Sequence, residues 1–434
     1  MLRTFSGGVH PHGNKALSRD MNIEIMPTPP IVYIPLAQHA GEPAVPAVKV
    51  GDEVVKGQLI GAAAPKNSCN VFSSCCGKIK AIENRVLPNG MCQHIVIENN
   101  GKKDNAHLPP LKDPTPAEII KRVADCGIVG MGGAGFPTAP KIGAKAVIEE
   151  LLVNGAECEP YITCDYRIMK EYTEKLLGGI LLVQKAADAK RVLIGIEDNK
   201  PDAVAAINAF IAQNKLENIA AVAIKTKYPQ GSDRQLIYAL TGKKIPKGSR
   251  STSYGVLVTN VHTAFSVYLA VNEGVQSYAR VITVTGGSVK QPKNLLVSTG
   301  TTFRDAVHFC GGINEENPPQ KLVSGGPMMG TAVYTGDIAV TKTTSCILLM
   351  GAGEVDYHKE SACINCGKCA RVCPMNLMPM NLDAYSQAGM YHEAEKWGLK
   401  YCIECGSCAF ICPAKRCLVQ SILLAKSKTK GRKE

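Results

Sequence analysis

Residues 363–376 read CINCGKCARVCPMN, and residues 402–414 repeat the phrase as CIECGSCAFICPA. Both stretches have the spacing C-x2-C-x2-C-x3-C-P, which is typical of chains that hold two [4Fe–4S] clusters. In such chains three thiolates from one stretch and a fourth from the other hold each cluster. The repeat therefore predicts a C-terminal domain built around two clusters and eight thiolate ligands.

The spacing also assigns the ligands. Three cysteines at three-residue intervals enclose one corner of a cluster, and the fourth, next to a proline, reaches the neighbouring cluster. The expected ligands of the first cluster are Cys363, Cys366, Cys369 and Cys412, and those of the second are Cys402, Cys405, Cys408 and Cys373. Structural zinc is the alternative, because paired C-x2-C motifs also bind zinc. Eight thiolates in a repeated order with trailing prolines favour clusters, and Cys417 falls outside the pattern.

The composition indicates a multidomain globular protein. The chain has 434 residues, 45% of them hydrophobic, which is enough for several packed cores and about three domains. No apolar run approaches the roughly 18–20 residues that a bilayer span needs, and no signal-peptide pattern follows Met1. With 18 cysteines and no secretory signal, the sequence favours metal binding in a reducing compartment over a disulfide framework. We therefore expect a soluble chain in the cytosol.

Positive charge is concentrated near the C-terminal end. Lys and Arg number 49 against 37 Asp and Glu, a formal net charge of +12, and half of the excess lies within residues 359–434. The segment 426–434 is interpreted as a solvated basic tail or as a docking element for an acidic partner or an anionic membrane face. Aromatic residues are only 5%, and no motif interleaves them with basic residues, which argues against nucleic acid as a partner.

The N-terminal part of the chain reads as an arm followed by a β domain. Residues 1–28 are rich in Gly, Pro and His without a clear period, and we interpret them as an arm lying on another domain. Residues 29–110 contain short β-branched runs broken by Gly and Pro, which predicts strands joined by tight turns. The phrase VKVGDEVVKGQ at 48–58 resembles the barrel-sandwich fold of lipoyl and biotinyl carriers. Because Lys66 lacks the flanking Met or Asp of a carrier lysine, we expect a structural domain rather than a carrier.

The rest of the chain divides by its hydrophobic pattern. Within residues 111–277, strand-like runs such as LLVN and RVLIGI alternate with helical stretches, which predicts a Rossmann-like α/β domain with a mostly parallel sheet. The stretch APKIGAKAVIEE at 139–150 is expected to be one of its helices. Residues 278–345 form a further small β-rich unit, and residues 346–425 hold the cysteine repeat.

A glycine loop interrupts the α/β domain. Residues 130–135, GMGGAG, match the pattern G-x-G-x-x-G, but a helix rather than a strand precedes them, which argues against an ordinary dinucleotide fingerprint. Amides without side chains let a phosphate approach the backbone, and the helix expected near Thr138 offers a positive N-terminus. We therefore expect an anion site here, with a tight connection between helices as the alternative.

Four stretches resemble the NADH-oxidising flavoprotein subunit of respiratory complex I: GMGGAGFPTAPK, VNGAECEP, YPQGSD and TNVHT. The resemblance implies FMN bound by the loop, with NADH laid over it, so that the flavin carries the hydride and no side chain is assigned a catalytic role. Carried over by motif, the FMN-binding residues are Gly130, Gly132, Gly133, Gly135, Lys141, Asn154, Glu157, Asn260 and Thr263. The residues expected on the nicotinamide side are Phe136, Glu159, Tyr228, Gly231 and Asp233. Met131 replaces the arginine of that family, which removes a positive contact, and Gly-Ser-Asp replaces Gly-Glu-Glu.

Two cluster motifs together with an N-terminal barrel-sandwich unit distinguish the chain from complex I. TFSGGVHPHGNK at 4–15 and PLAQHAGEPAVPAVKVGDEVVKGQ at 35–58 resemble the RnfC family, a component of the membrane-bound Rnf complex. That complex is a ferredoxin:NAD oxidoreductase that couples electron flow to sodium or proton transport. The resemblance implies FMN, NAD(H) and two [4Fe–4S] clusters. It also implies a soluble-ligand-binding β-grasp domain at 278–345 and a C-terminal two-[4Fe–4S] domain of the ferredoxin type.

The same resemblance implies a peripheral position on the cytoplasmic face of the cell membrane. The expected partners are an iron–sulfur subunit and membrane-embedded subunits of the complex, and ferredoxin indirectly. Two alternatives differ in class. One is the cobalamin reductase of diol-degrading microcompartments, against which the long N-terminal unit argues. The other is a non-enzymatic double-cluster relay, which would contain no FMN.

Overall fold

The computed structural model describes residues 2–429, and its mixed α/β and β architecture confirms the expected fold class. The described residues form four sheets and a helical C-terminal unit. Within the described residues, no helix combines the length and the apolar character that a bilayer span requires. Residues 430–434, the end of the expected basic tail, lie outside the described part of the chain.

The N-terminal arm runs over the later units. It contains a short 3-10 helix, Lys15–Leu17, and the strand β1, Ile23–Ile25. Strand β1 pairs in parallel with a strand at 293–298. The arm is therefore part of a sheet formed mainly by residues that are distant in sequence, and Ile23 pairs with Asn294.

The barrel-sandwich unit consists of two facing sheets. One has the order β2-β8-β7-β4 and the other β3-β5-β6. Their inner faces enclose a core that includes Val32, Ile34, Ile60, Ile95 and Ile97, all essentially buried. The strands are β2 Ile31–Pro35, β3 Val45–Pro46, β4 Glu53–Val54, β5 Leu59–Ala62, β6 Val71–Phe72, β7 Gly77–Leu87 and β8 Gly90–Asn99.

The α/β unit has a four-stranded parallel sheet in the order β11-β10-β9-β12. Leu151, Leu152 and Val153 on β9 are fully buried on alternating faces, as expected for a parallel sheet covered by helices on both sides. The strands are β9 Glu150–Gly155, β10 Arg191–Glu197, β11 Ile219–Ile224 and β12 Val256–Asn260. The helices are α1 Pro116–Asp125, α2 Thr138–Ile142, α3 Cys164–Glu171, α4 Thr173–Ala187, α5 Pro201–Gln213, α6 Asp233–Thr241 and α7 Val261–Asn272, with a 3-10 turn at Ser251–Tyr254.

Helix α2 is shorter than the sequence predicted. The expected helix over 139–150 ends at Ile142, because Gly143 follows and residues from Glu150 onward pair in strand β9. A five-residue helix offers little dipole, so the expected contribution of its N-terminus to anion binding is small.

The β-grasp unit has a six-stranded sheet in the order β1-β14-β13-β17-β15-β16. Its own elements are β13 Ala279–Thr285, β14 Lys293–Ser298, α8 Phe303–Phe309, β15 Lys321–Ser324, β16 Thr331–Val333 and β17 Cys346–Met350. Residues 346–350 were expected in the cysteine domain, and this was wrong. The run CILLM is buried throughout and pairs with β13 and β15, because a continuously apolar run is typical of a strand inside a sheet that is covered on both faces.

The C-terminal unit is small and helical. Its elements are a 3-10 turn at Ala352–Glu354, α9 Lys368–Val372, α10 Pro379–Gln387, α11 Tyr391–Lys396, a 3-10 turn at Leu399–Tyr401, α12 Ser407–Phe410 and α13 Leu418–Thr429. Helix α13 continues through residues 426–429, so this part of the expected tail is ordered structure. Leu382, Ala394 and Ile422 form the centre of its core.

One lysine joins three of the units beneath the glycine loop. The side chain of Lys342 is 1% exposed, and its Nζ donates to the carbonyl oxygens of Asn70 at 2.6 Å and Gly127 at 2.8 Å. Asn70 belongs to the barrel sandwich and Gly127 lies just before the glycine loop. Because a buried ammonium must be hydrogen-bonded, this contact fixes the base of the loop relative to its neighbours.

Candidate functional site

The parallel sheet creates a crevice at its topological switch point. Strand β9 lies between β10 and β12. The chain adds β10 and β11 on one side of β9 and then returns to add β12 on the other side, and ligands of open α/β sheets bind at the carboxyl ends of strands where the strand order reverses in this way. Asn154 and Asn260, both expected to bind FMN, are register partners at these ends. The sheet thus brings together two residues that are distant in sequence.

The glycine loop lies against this crevice as a closed turn. The amide of Gly130 donates to the carbonyl of Phe136 at 2.9 Å, and the amide of Thr138 donates to the carbonyl of Ile128 at 3.0 Å. Gly132 and Gly133 are exposed between these closures. A Cβ added to Gly133 would meet nothing within 4 Å, whereas one added to Gly132 would lie 2.9 Å from the side chain of Asn260. The loop therefore has a packed inner side and an open outer side, which fits a phosphate cradle.

Thr263 and Met131 fix the inner side of the loop. The Met131 amide donates to Thr263 Oγ1 at 2.9 Å, and the Met131 side chain is buried against Ser266 of helix α7. The residue that replaces the arginine of the complex I family thus points into the protein. Thr263 positions the loop backbone instead of presenting its hydroxyl to the crevice.

The two asparagines also have structural partners. Asn154 Nδ2 donates to the carbonyl of Gly231 at 2.6 Å, which attaches the YPQGSD segment to the end of β9. Asn260 Oδ1 caps helix α7 by accepting from the amides of residues 262 and 263, and its Nδ2 donates to Asp165 Oδ2 at 2.7 Å. These contacts define the walls of the crevice.

Glu157 is the clearest unsatisfied group in the crevice. Its Oε1 accepts from the amides of Asp165 at 2.7 Å and Tyr166 at 3.3 Å, while its buried Oε2 has no hydrogen-bond partner. Lys15 Nζ lies 3.9 Å from that oxygen. Burial raises the pKa of Glu157 to about 7, against the opposing charges of Lys15 and Lys200. A buried acceptor without a donor fits a site that a ligand with N–H or O–H groups completes.

Several residues near Glu157 were not predicted from the sequence. Lys15 Nζ donates to the carbonyls of Glu157 and Glu159, both at 2.9 Å, and of Ile162 at 2.5 Å. Lys200 is fully buried, and its Nζ donates to the carbonyl of Ala156 at 2.8 Å. Lys200 follows strand β10 at the carboxyl edge of the sheet, a position that could have identified it. Nothing in the local sequence of the arm indicates the role of Lys15.

Glu159 and Tyr228, expected on the nicotinamide side, lie at the boundary with other units. The Tyr228 hydroxyl donates to Glu159 Oε1 at 3.3 Å, and the amides of Met328 and Met329 in the β-grasp unit donate to the same carboxylate at 3.2 and 2.9 Å. Tyr228 is 1% exposed and packs against Cys405. Burial raises the pKa of Glu159 to about 7, although the three donors oppose this shift.

We predict that Glu159 makes the cofactor-free protein less stable as the pH rises. Its folded pKa of about 7 exceeds the ordinary value of 4.5, so the folded state binds the proton more tightly, and stability present below about pH 4.5 is lost as the pH rises to about 7. The loss is on the order of 3 kcal/mol. The free energy of unfolding, measured with urea at several pH values, should depend less on pH in Glu159→Gln than in wild type. In the exposed control Glu315→Gln it should depend on pH as it does in wild type. An equally steep slope in Glu159→Gln contradicts the assignment.

The remaining expected residues lie at the rim of the site. Phe136 is 43% exposed at the end of the glycine loop. Lys141 is half-buried in the last turn of α2, and Asp233 is exposed as the first residue of α6. Gly135 has φ +70°, a conformation that favours glycine. Among residues 2–429, the side chains of Lys141 and Asp233 make no hydrogen bond to the other expected site residues.

The cysteine repeat forms two cavities. Each cavity is lined by one group of four cysteines as the spacing assigned them, Cys363, Cys366, Cys369 and Cys412 in the outer cavity and Cys373, Cys402, Cys405 and Cys408 in the inner cavity. The two stretches share their backbone conformation, because Asn365 and Glu404, and likewise Gly367 and Gly406, have positive φ at equivalent positions. The repeat in sequence is therefore a repeat in structure.

The sulfur positions suit a cubane better than a single ion. Zinc with bonds of about 2.3 Å holds its thiolates less than about 4 Å apart. Within the described chain, no three sulfurs of the repeat lie within 4.8 Å of one another. The donor set and the spacing thus fit a four-iron cluster in each cavity.

The two cavities differ in exposure. Cys363 and Cys366 of the outer cavity are exposed, whereas Cys405 and Cys408 of the inner cavity are buried. Burial raises the pKa of the Cys402 thiol to about 11, so iron binding there must displace a proton. The outer cavity is accessible from solvent, and the inner cavity faces the α/β unit.

Lys426 supports the inner cavity, although the sequence indicated a tail. Its Nζ donates to the carbonyl of Cys402 and to Glu404 Oε1, both at 2.6 Å. The contact links the last helix to the backbone of a predicted ligand. The sequence did not predict this contact of Lys426, because a basic run near the end of a chain is usually exposed to solvent.

Comparison with known families assigns each unit. The models that match are the RnfC barrel sandwich hybrid domain at 3–102, the Nuo51 FMN-binding domain at 123–269, the SLBB domain at 281–332 and the 4Fe-4S dicluster domain at 356–413. The chain is thus a flavin- and iron–sulfur-containing oxidoreductase component, with FMN and [4Fe–4S] clusters as its cofactors.

Full-length relatives identify the family. The chain is 44% identical to the C component of the proton-translocating ferredoxin:NAD(+) oxidoreductase complex of Clostridium ljungdahlii, over 99% of this chain and 95% of the relative. It is 42% identical to the C component of the ion-translocating oxidoreductase complex of Rhodobacter capsulatus (98% and 84%), and 40% identical to that of the Na(+)-translocating complex of Acetobacterium woodii (98% and 96%). The chain belongs to the RnfC family of ion-translocating ferredoxin:NAD(+) oxidoreductase components.

Solved structures show the same fold in a different context. A NAD+-reducing [NiFe]-hydrogenase in the air-oxidized state superposes with a TM-score of 0.50 at 20% identity, over 64% of this chain and 54% of that chain. The H2-reduced state of such a hydrogenase gives a TM-score of 0.51 at 17% identity, over 73% of this chain and 63% of that chain. At this identity the likeness concerns the fold alone.

Proposed function

We propose that this chain exchanges electrons between NAD(H) and its two cluster sites, as a subunit of a membrane-bound, ion-translocating ferredoxin:NAD oxidoreductase complex. The observation that carries the proposal is the contact between Tyr228 and Cys405, which joins the flavin-binding unit directly to the inner cluster cavity. A nicotinamide gives or takes two electrons as hydride, whereas FMN, when bound, exchanges both hydride and single electrons and each cluster passes one. One polypeptide holds both kinds of site.

The crevice residues have distinct proposed roles toward FMN. The open amides of Gly132 and Gly133 would hold the phosphate, as side-chain-free backbone does in other phosphate loops, and Gly130 and Gly135 would shape the turn that presents these amides. Lys141 would add a positive charge at the rim. Glu157 Oε2 would accept a hydrogen bond from the cofactor, while Asn154, Asn260 and Thr263 hold the walls in place.

The nicotinamide would enter from the exposed side of the loop. Phe136 is an exposed ring suited to stacking, and Asp233 is exposed at the start of α6 in the proposed site. Gly231 and Tyr228 would form the wall opposite, and Glu159 anchors this wall to the β-grasp unit. Hydride transfer needs no protein acid or base in this scheme.

The exposure of the cavities supports an order of transfer. Electrons from reduced ferredoxin would reach the exposed outer cavity through partner subunits, pass to the buried inner cavity, and leave on NAD+ as hydride. The same arrangement permits the reverse direction. We propose that the chain is peripheral on the cytoplasmic face of the membrane, bound there to an iron–sulfur subunit and to membrane-embedded subunits that transport sodium or protons.

Anaerobic purification with cofactor analysis tests the proposal. We expect about eight iron atoms and about eight acid-labile sulfides per chain, four of each for each cubane, together with about one FMN. NADH should bleach the flavin and then the clusters. Protein with a full iron content but without FMN, and without NADH-dependent bleaching, would instead support a double-cluster relay.

A further inference from the structure

A short part of the N-terminal arm lies between the flavin-binding unit and the inner cluster cavity. The amide of Gly8 donates to the carbonyl of Val372, the residue before the ligand Cys373, at 2.8 Å. Val9 and Tyr228 exchange two backbone hydrogen bonds, of 2.8 and 2.9 Å. Residues 7–9 therefore bind both units at once, through the backbone.

The contact continues through side chains. Val9, Tyr228 and Cys405 form one apolar cluster and are 3%, 1% and 7% exposed. Cys158, which lies between the two acidic residues of the flavin segment, packs against the same cluster. Val9 thus fills the space between the Glu159 segment and a predicted ligand of the inner cluster.

Gly8 has no room for a side chain. Its φ is +77°, and a Cβ there would lie 2.5 Å from the carbonyl oxygen of Tyr228 and 2.7 Å from the ring of Phe5. Gly7 has φ +84°, and a Cβ there would lie 3.1 Å from the carbonyl of Val372. Two adjacent glycines permit the close approach of three backbone segments at this point.

We propose that residues Gly7–Val9 are positioning residues that hold the inner cluster site against the Tyr228 face of the flavin-binding unit and so set the rate of electron transfer between them. This inference rests on the proposed function. Transfer between two redox sites slows steeply as the gap between them widens. Direct contacts between the two units also occur, as from Gln235 Nε2 to the carbonyl of Pro374 at 3.1 Å, and Val9 of the arm packs beside the contact of Tyr228 with Cys405.

The test follows each redox site separately in the anaerobic holoprotein. In the reaction, NADH loses two electrons and leaves as NAD+ with release of one proton, and each of the two cluster sites gains one electron. After rapid mixing with NADH, flavin bleaching and cluster bleaching are recorded at their own wavelengths. In Gly8→Ala we expect the flavin rate to be unchanged and the cluster rate to fall about tenfold or more, because preorganised geometry is lost.

Hydrogen–deuterium exchange supplies a second readout that does not depend on activity. The amides of Val9 and Tyr228 should exchange about tenfold faster in Gly8→Ala, since left-handed strain and the clash with Tyr228 weaken the arm contact. Gly13→Ala is the matched control in the same arm. Its Cβ would meet only the Cγ of Lys15, at 3.9 Å, so both bleaching rates and the exchange should equal those of wild type.

The outcomes separate the inference from the proposed function. A wild-type cluster rate in Gly8→Ala overturns the inference, whatever the exchange shows. If Gly8→Ala does not fold, Val9→Ala takes its place, because it keeps the backbone and removes two methyl groups from the apolar cluster. Val9→Ala must then slow cluster bleaching, and a cluster bleaching rate equal to that of wild type overturns the inference as well. If NADH fails to bleach the flavin of the wild-type protein, the proposed function fails, and unchanged exchange in Gly8→Ala then overturns the inference independently.

Discussion

Cys405→Ser should halve the iron and sulfide content, from about eight of each to about four. Cys405 lines the inner cavity and is 7% exposed, so no other ligand can approach from solvent to replace it. The outer cavity shares none of its four cysteines, so its cluster should remain. Anaerobic iron and sulfide analysis, with electron paramagnetic resonance of the reduced protein, measures the loss.

The same variant should retain flavin chemistry. The glycine loop and Glu157 do not contact Cys405, so NADH should still bleach the flavin, while reduction of the remaining cluster should fall about a hundredfold or more because its route is interrupted. Cys417→Ser is the matched control, an exposed cysteine outside both cavities, and should match wild type in every measurement. Loss of both clusters, or of the flavin, from Cys405→Ser would contradict the separation of the sites.

Gly133→Val should weaken FMN binding without weakening the fold. A Cβ at Gly133 meets nothing within 4 Å, so the cofactor-free variant should unfold within about 0.5 kcal/mol of wild type. The branched side chain would occupy the open side of the loop, where the phosphate is proposed to lie. We therefore expect FMN affinity to fall at least about tenfold, or about 1.4 kcal/mol. Fluorescence titration of FMN into the stripped protein measures it.

A control with the same substitution distinguishes a bound cofactor from a general effect of valine. Gly353 is also exposed, a Cβ there meets nothing within 4 Å, and it lies in a turn outside the crevice. Gly353→Val should bind FMN as wild type does. Equal FMN affinity in Gly133→Val and wild type would show that the phosphate lies elsewhere.

Much of the fold could be predicted because several patterns are local. The cysteine spacing alone grouped the eight cysteines as the two cavities do, because the two stretches have the same spacing and the same backbone conformation. Apolar runs that alternate with helical stretches indicated the parallel sheet, because strands buried on both faces are apolar throughout. The glycine loop and its three companion motifs located the crevice through family resemblance.

Other features depend on contacts between distant residues and left no local trace. Strand β17 reads like any apolar segment before the cysteines, and only its partners place it in the β-grasp sheet. Lys15 supports the loop at 157–162 from an arm without hydrophobic period. Lys426 looked like part of a charged end, but its ammonium binds the backbone of Cys402. The structure also gives Asn260 and Thr263 scaffold contacts that motif matching does not reveal.

The unequal burial of the two cysteine groups has a practical consequence for handling the protein. Dioxygen and chelators reach a metal centre from solvent, so damage in air should begin at Cys363 and Cys366 and proceed inward. A sample exposed briefly would then keep its flavin and its buried centre while losing the surface one. Such a preparation would still react with NADH but would no longer accept electrons from an external donor, and could be mistaken for an intact protein.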